Sequence, residues 1–236
     1  MSELFRCKHF TVKQSNKVFK VNTDGLLLGA WIRLEENDRV LDVGTGTGII
    51  SLCIMQRFPS AIITAIDSNS YASNLAHENF TYSTWNNSLL VRNLTLSQLI
   101  DKDHTIEFEH IVSNPPFFSD GLLPESEILR VSKHQEGLTM RALCEAANKI
   151  TGPKGKLSLV IPVEQYERSE ELIQHLGLCV LRKTLFLSKK NRPVRFLLTL
   201  SKTATKTEES SIIMYNQDGT YHDDYRILME DFLTIF

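Results

Sequence analysis

Short runs of β-branched and apolar residues alternate along the chain with longer stretches whose apolar positions recur at helical spacing. This alternation is typical of an α/β fold, in which a mostly parallel sheet carries helices on both faces. The pattern predicts seven strands, at 39–43, 61–67, 89–94, 110–113, 156–161, 179–187 and 195–201. It predicts helices at 48–58, 70–82, 138–150 and 163–176, with a last helix at 223–233.

The last two predicted strands are separated only by residues 188–194, which leaves no room for a crossover helix. They should therefore pair antiparallel, as a hairpin at the end of the sheet. The polar segment 203–211 is expected to be a connector before the last helix.

Composition changes this picture little. The chain has 236 residues, of which 42% are hydrophobic and 23% charged, so we expect a soluble globule with one domain over 1–236. The net charge of −2 argues against a purely electrostatic nucleic-acid binder. That total combines −5 over residues 203–236 with +3 over residues 1–202.

The four cysteines, at positions 7, 53, 144 and 179, lack the close pairs of zinc or redox motifs. We expect them to be buried thiols in a reducing compartment. The first residues have no secretory apolar core, and no apolar run approaches the roughly 20 residues that cross a bilayer. The sequence therefore predicts a cytoplasmic protein with no membrane contact.

A glycine-rich turn directly follows the first predicted strand of the sheet. Asp42 is the last residue but one of that strand, and Gly44-Thr45-Gly46-Thr47-Gly48 leads into a helix. Glycines allow the tight turn and let a ligand approach the backbone N–H groups. Because Asp42 would sit poorly beside a pyrophosphate, the turn favours a cationic or zwitterionic ligand. Asp67, 19 residues after Gly48, stands where a carboxylate can hold a ribose diol.

These residues resemble motifs I and II of the Rossmann-like S-adenosylmethionine-dependent methyltransferases, whose sheet also ends in an antiparallel hairpin. The resemblance implies S-adenosylmethionine as cofactor, S-adenosylhomocysteine as product, and Asp67 as the ribose ligand. It implies a loop around the methionine part of the cofactor, formed by Asp42, Gly44, Thr45, Gly46 and Gly48. Many members carry an acid after the third strand to bind adenine. Here Thr95, or less favourably Asn93, must take that place.

The fourth predicted strand of the sheet ends in Asn114-Pro115-Pro116-Phe117. Two prolines stiffen the segment and remove two N–H donors, so it presents acceptors. The Asn114 side-chain oxygen and the Pro115 carbonyl could accept both N–H bonds of an aromatic amine and direct its lone pair at the methyl group, while Phe117 stacks on the base. Alignment is the main requirement, so neither a metal nor a strong general base is implied.

The tetrapeptide resembles motif IV of the amino-methyltransferases, which act on exocyclic amines of bases or on glutamine amides. By that resemblance Asn114, Pro115, Pro116 and Phe117 are the catalytic residues, and Asn114 also adjoins the cofactor. The motif identifies planar nitrogen as the acceptor and leaves open which molecule carries it.

Two further segments narrow the choice. Residues 10–14 and 19–31 precede the first strand of the sheet, and Gly219, Tyr221, Tyr225, Leu228 and Phe232 follow the last. Together with the motifs above they resemble the bacterial tRNA(Val) adenine-N6 methyltransferases, which modify adenosine 37 on the 3′ side of the anticodon. The resemblance implies that Thr23 and Asp24 close the pocket over the methionine end. It divides the chain into a closing segment (1–36), a core (37–202) and an appended segment (203–236).

The expected partner is the anticodon stem-loop of tRNA, with no obligate protein partner. Basic side chains near the motif are candidate phosphate contacts. They are Arg6, Lys8, Lys13, Lys17 and Lys20 near the N-terminus, and Lys189, Lys190, Arg192 and Arg195 at the hairpin. Segment 118–137 is expected to be a loop over the pocket, with His134 as a surface or RNA-contacting residue. Within segment 19–31 the sequence also predicts a core-packing helix that begins with Thr23 or Asp24 as its N-cap.

Other readings stay open at this point. The acceptor could be guanine N2 of ribosomal RNA, adenine of DNA, or a protein glutamine. A cofactor-binding RNA chaperone without turnover is an alternative of a different class, although the intact Asn-Pro-Pro-Phe segment disfavours it.

Overall fold

The computed structural model describes residues 3–102, 107–116, 138–203 and 206–236. A small antiparallel sheet pairs β1 (Leu4–Arg6) with β2 (Thr11–Lys13). The main sheet has eight strands: β3 (Arg39–Val43), β4 (Ile62–Asp67), β5 (Leu89–Asn93), β6 (Phe108–Ser113), β7 (Thr151–Pro162), β8 (Cys179–Lys189), β9 (Arg192–Ser201) and β10 (Glu208–Tyr215). Their order across the sheet is β10-β8-β9-β7-β6-β3-β4-β5.

The pairing confirms the predicted sheet class. The five strands β3 to β7 run parallel to one another, and β9 lies antiparallel to both β7 and β8. The hairpin turns at Lys190 and Asn191, where Asn191 takes the left-handed conformation (φ 67°) that tight turns require. The C-terminal antiparallel hairpin is therefore confirmed.

The predicted number of seven strands is wrong, because β10 adds an eighth strand parallel to β8. Residues 208–211 of the predicted connector 203–211 therefore belong to this strand, and the rest of the connector precedes it. The first four residues of β10 are exposed, which gives this edge strand a polar sequence. Three ion pairs join it to neighbouring side chains, from Glu208 to Arg33 and to Arg182 and from Glu209 to Lys183.

Seven helices of the described part pack on the main sheet: α1 (Thr23–Trp31), α2 (Ile49–Arg57), α3 (Ser70–Thr81), α4 (Leu96–Lys102), α5 (Met140–Ile150), α6 (Tyr166–His175) and α7 (Asp223–Met229). The predicted helices 48–58, 70–82, 138–150 and 163–176 correspond to α2, α3, α5 and α6. The last helix ends at Met229, four residues before the predicted end, and α4 has no predicted counterpart.

Helices cover both faces of the sheet, as predicted. One apolar core joins the sheet to α1, α2, α3 and α7 through residues such as Leu27, Ile54 and Phe80. The other joins it to α4, α5 and α6 through residues such as Ile111 and Leu143. The four cysteines are free, and three of them are buried. Within the described ranges, no helix is long and apolar enough to cross a membrane.

The N-cap of α1 is Asn22, so the predicted caps Thr23 and Asp24 are wrong. The Asn22 side-chain oxygen accepts a hydrogen bond from the Gly25 N–H at 2.9 Å, and both predicted caps lie inside the first turn. The side chains of Asn, Thr and Asp can all accept a hydrogen bond from an unpaired N–H group of the first turn. The residue types alone therefore do not show which of the three neighbours is the cap.

The N-terminal segment is tied to the rest of the fold at two places. The Asn79 side chain on α3 accepts from Lys13 N at 2.8 Å and donates to the carbonyls of Lys13 (3.1 Å) and Thr47 (2.8 Å). At the other end, the Lys8 N–H donates to the Phe232 carbonyl at 2.8 Å. β2 is thereby joined to the glycine-rich turn, and the chain near β1 is joined to the region after α7.

Candidate active site

A cavity of about 1090 Å³ lies at the carboxyl ends of β3, β4 and β6. Small-molecule sites usually span about 300–1000 Å³, so this one has room for a nucleotide cofactor and part of a second ligand. Crevices at this edge of a parallel sheet are where α/β proteins bind ligands. The predicted site residues that line it are Asp24, Gly44, Thr45, Gly46, Asp67, Thr95, Asn114, Pro115 and Pro116.

Three predicted residues do not line the cavity. Thr23 begins α1, Asp42 lies beneath the glycine-rich turn, and Gly48 caps α2. Phe117, the segment 118–137 and His134 lie outside the described residues.

The glycine-rich turn has the backbone that its sequence predicts. Gly44, Gly46 and Gly48 have φ values of +74°, +57° and +82°, which L side chains rarely adopt. A Cβ at residue 48 would lie 2.4 Å from the Phe80 ring, whereas nothing lies within 4 Å of a Cβ at residue 46. Gly48 is therefore required by packing, while Gly46 leaves space beside the cavity.

Asp42 supports this turn from below. Its side chain is fully buried, and Oδ2 accepts hydrogen bonds from Thr45 Oγ1 at 2.8 Å and Ser51 Oγ at 2.6 Å. Burial raises the pKa of Asp42 to about 6, although the two hydroxyls oppose the shift. The other oxygen, Oδ1, is buried and has no hydrogen-bond partner. An orphaned carboxylate oxygen at the base of the turn suits a cationic group or a bridging water.

Asp67 ends β4 with both carboxylate oxygens engaged. Oδ2 accepts from the Gly46 N–H at 3.0 Å, and Oδ1 accepts from the Asn69 N–H at 2.9 Å. Burial raises the pKa of Asp67, and these two backbone hydrogen bonds act in the opposite direction. A carboxylate oxygen can accept more than one hydrogen bond, so Asp67 can still receive two hydroxyls of a ribose.

Thr95 lies in the cavity wall at the start of α4 and is engaged by its own helix. Its hydroxyl accepts from the Gln98 N–H at 3.1 Å, and its N–H donates to Gln98 Oε1 at 3.0 Å, a reciprocal capping arrangement. Asn93, the second candidate, donates to the Asp67 carbonyl at 2.8 Å. Ser97 and Asp101 of α4 also line the cavity. Sequence reasoning missed both, because α4 was not predicted.

Asn114, Pro115 and Pro116 leave β6 beside the glycine-rich turn. Ser113, the last residue of β6, pairs with Val43, and its buried hydroxyl donates to the Val43 carbonyl at 2.8 Å. The strand pairing thus brings the proline segment and the turn to the same cavity. Sequence reasoning did not single out Ser113, whose short polar side chain joins the two strand ends.

The first turn of α1 forms another wall. Asp24 accepts a hydrogen bond from Arg195 Nε of β9 at 2.9 Å. Both side chains line the cavity, together with Lys17 and Lys20 of the predicted basic cluster. Asp24 therefore joins the N-terminal segment to the strand of the hairpin.

The residues present fit the cofactor that the sequence motifs imply. Asp67 suits a ribose, and the space beside Gly46 admits a ligand close to the backbone. The orphaned Asp42 oxygen lies beneath the turn, outside the cavity lining, where a water could link it to an ammonium group. In the described part of the chain, no cluster of three or more His, Cys, Asp or Glu side chains is placed to hold a metal ion.

Comparison with known proteins identifies the class. Residues 11–183 match the methyltransferase small domain family, and the chain belongs to this family. A curated relative from Trichodesmium erythraeum is 34% identical over 231 residues, covering 97% of this chain and 96% of the relative. That relative is named tRNA1(Val) (adenine(37)-N6)-methyltransferase.

Solved structures show the same fold. A predicted O-methyltransferase from Agrobacterium tumefaciens has a TM-score of 0.69 at 17% identity, covering 89% of this chain and 96% of that chain. A T. thermophilus 16S rRNA N2 G1207 methyltransferase, solved with AdoMet and guanosine, has a TM-score of 0.59 at 19% identity. It covers 86% of this chain and 50% of that chain. The Rossmann-like methyltransferase fold predicted from the sequence is confirmed.

Proposed function

We propose that this protein transfers a methyl group from S-adenosylmethionine to the N6 amine of adenosine 37 in the anticodon loop of tRNA(Val). The observation that carries the proposal is that Asn114 and Pro115 line the same cavity as the glycine-rich turn and Asp67. Acceptors for an amine thus lie beside residues suited to a nucleoside cofactor. The name of the relative from Trichodesmium erythraeum supports the choice of base and RNA.

The cofactor would be held along the turn between β3 and α2. Asp67 would accept the ribose hydroxyls, Asp42 would face the ammonium directly or through water, and Thr95 would contact the adenine. Asp24 and Thr23 would close the methionine end. When bound, S-adenosylmethionine supplies a sulfonium methyl group, so that the C–S bond breaks as the N–C bond forms and S-adenosylhomocysteine leaves.

The substrate amine would be oriented by the segment after β6. The Asn114 side-chain oxygen and the Pro115 carbonyl would each accept one N–H bond, which turns the nitrogen lone pair out of conjugation with the ring. Pro116 fixes the backbone of this segment, and Phe117 would stack on the base. The methylated nitrogen is acidic enough to lose its proton to water, so the residues need only position the amine.

The RNA partner and the three segments of the chain would each have a part in this reaction. The partner is the anticodon stem-loop, whose unpaired adenine is more easily extruded than one in a duplex. Within one domain, residues 1–36 would close the cofactor pocket, 37–202 would form the core and 203–236 would be an appended segment. With tRNA as the substrate, the reaction would take place in the cytoplasm.

The test is incubation of the purified protein with labelled S-adenosylmethionine and tRNA that lacks the modification. Nuclease digestion and mass spectrometry should find one N6-methyladenosine, at position 37 of tRNA(Val). A matched tRNA(Val) with guanosine at position 37 should remain unlabelled.

Other products would overturn this proposal in defined ways. Label in guanine N2 of ribosomal RNA, in DNA adenine or in a protein glutamine would reassign the substrate. Cofactor binding without transfer to any of these would indicate a binding protein.

A further inference from the structure

An exposed aromatic and basic surface adjoins the cavity. It consists of Lys17, Phe19, Lys20 and Tyr71, which we call the rim. Phe19 is 47% exposed and Tyr71 57% exposed, which is unusual for large aromatic side chains. Lys17 Nζ lies 4.3 Å from the centre of the Tyr71 ring. Lys17, Phe19 and Lys20 also line the cavity that contains Asn114, so the rim lies at its mouth.

The backbone that presents the rim is held in place. Val18 is 5% exposed and packs with Ala72 and Leu75 of α3. Its neighbours Lys17 and Phe19 are exposed on either side of this buried contact. The Val21 N–H donates to the buried Gln14 side chain at 2.9 Å, so the chain is held on both sides of residues 17–20. The exposed rings are therefore held in position before any partner binds.

The charge of the rim is positive. Lys17 makes no ion pair with the part of the chain that the structure describes, and it lies over the Tyr71 ring instead. Lys20 pairs with Glu3, and both side chains are exposed. Exposed ion pairs contribute little free energy, so Lys20 can exchange Glu3 for a phosphate at small cost.

We propose that the rim binds the single-stranded nucleotides that flank the target adenine, with Phe19 and Tyr71 stacking on bases and Lys17 and Lys20 contacting phosphates. This inference rests on the proposed function, because it takes RNA as the substrate. Aromatic faces interleaved with cations are the usual means of holding unpaired nucleotides. The position of the rim fits this role, since Lys17, Phe19 and Lys20 line the same cavity as Asn114.

The experiment measures the dissociation constant for an unmodified tRNA(Val) anticodon stem-loop, using protein saturated with S-adenosylhomocysteine. Phe19→Leu and Tyr71→Ala should each weaken binding roughly 5- to 100-fold, the effect of losing one base stack. Phe19→Tyr should restore the affinity, because it returns an aromatic face. Lys17→Ala should reduce the slope of log affinity against log salt by about one.

Two substitutions serve as matched controls. Tyr82, at the other end of α3, is 83% exposed and does not line the cavity. Lys154 is exposed on β7, eight residues before Pro162 at the cavity end of the strand. Tyr82→Ala and Lys154→Ala should leave RNA affinity unchanged. Calorimetry with S-adenosylhomocysteine should give the wild-type affinity for all variants, which shows that each is folded.

Wild-type RNA affinity in Phe19→Leu and Tyr71→Ala would overturn the inference. So would a loss of S-adenosylhomocysteine affinity with unchanged RNA affinity, which would make Phe19 part of the cofactor pocket. The proposed function fails separately, if wild-type protein binds RNA through the rim and transfers no methyl group to adenine.

Discussion

The main-chain N–H of Gly46 donates a hydrogen bond to Oδ2 of Asp67 at 3.0 Å, which joins the glycine-rich turn to the end of the neighbouring strand. The same carboxylate receives the Asn69 N–H on its other oxygen. Asp67 thus orders the turn before a ribose is bound. In the proposed function the same side chain would also accept the ribose hydroxyls of the cofactor.

Asp67→Asn should weaken S-adenosylhomocysteine binding at least about tenfold, since the amide can accept only one of the two N–H bonds and turns its NH₂ group toward the other. Isothermal titration calorimetry measures the affinity. Asp101→Asn is the control: this carboxylate also lines the cavity, but its Oδ2 accepts from the Ser97 hydroxyl at 3.3 Å within α4 and not from the glycine-rich turn, so the substitution should have a smaller effect. Equal effects of the two substitutions would contradict the role of Asp67 in ordering the turn.

The glycines of the turn should respond differently to alanine. Gly48→Ala places a Cβ 2.4 Å from the Phe80 ring at a φ of +82°, so it should lower the free energy of unfolding by about 2 kcal/mol or more. Gly46→Ala meets no atom within 4 Å, so only the cost of a left-handed alanine remains, about 1–2 kcal/mol. Urea unfolding measures both.

The two alanine variants should rank in the opposite order when their affinity for the cofactor is measured. Gly46 lines the cavity and Gly48 does not, so at equal folded fraction Gly46→Ala should lose more affinity for S-adenosylhomocysteine. If Gly46→Ala binds normally, the ligand does not approach this part of the backbone.

The buried carboxyl of Asp42 should make stability depend on pH. Its folded-state pKa of about 6 lies above the ordinary value of 3.8, so the folded protein holds this proton more tightly than the unfolded chain. The resulting stabilisation is complete below about pH 4 and is lost as the pH rises through about 6. A shift of this size corresponds to a change on the order of 2–3 kcal/mol.

Asp42→Asn removes the titration and keeps an oxygen for the Thr45 and Ser51 hydroxyls. Urea unfolding from pH 4 to pH 8 measures the free energy of unfolding of both proteins. The wild type should lose stability relative to Asp42→Asn as the pH rises to about 7, and the difference between the two should be constant above that pH. Parallel stability curves would show that Asp42 does not titrate in this range.

Asn114→Ala should abolish most methyl transfer while the protein still binds cofactor. Loss of one oriented hydrogen-bonding group that acts in the transition state commonly lowers kcat about 100- to 1000-fold. Single-turnover transfer to tRNA measures the rate, and calorimetry measures the affinity for S-adenosylhomocysteine. Asn87→Ala, an exposed residue of a surface turn, is the control and should keep full activity.

Much of the fold could be predicted from the pattern of apolar residues. The central strands β3 and β4 are largely buried and consist mainly of apolar residues, so they stand out from the helices that follow them. β10 was missed because half of it is exposed at the edge of the sheet, where pairing with β8 comes from the backbone. The run of Ile212, Ile213, Met214 and Tyr215 was the signal that could have identified it.

The candidate site was predictable in its residues and less so in their partners. The motifs indicate Asp42, but its contacts with Thr45 and Ser51 depend on how the turn folds back over the strand. Thr95 was chosen for its position after β5, and its reciprocal bonds with Gln98 were not predicted. The Thr-x-x-Gln spacing of these two residues is a capping-box signature, and it was the signal that could have identified both bonds and the start of α4.

The side chain of Asn79 bonds both to Lys13, at the start of the segment that carries Lys17 and Phe19, and to Thr47 of the glycine-rich turn. The segment and the turn therefore share one anchor. By thermodynamic reciprocity, any change that cofactor binding makes in the affinity of this segment for RNA must be matched by an equal change that RNA makes in the affinity for cofactor.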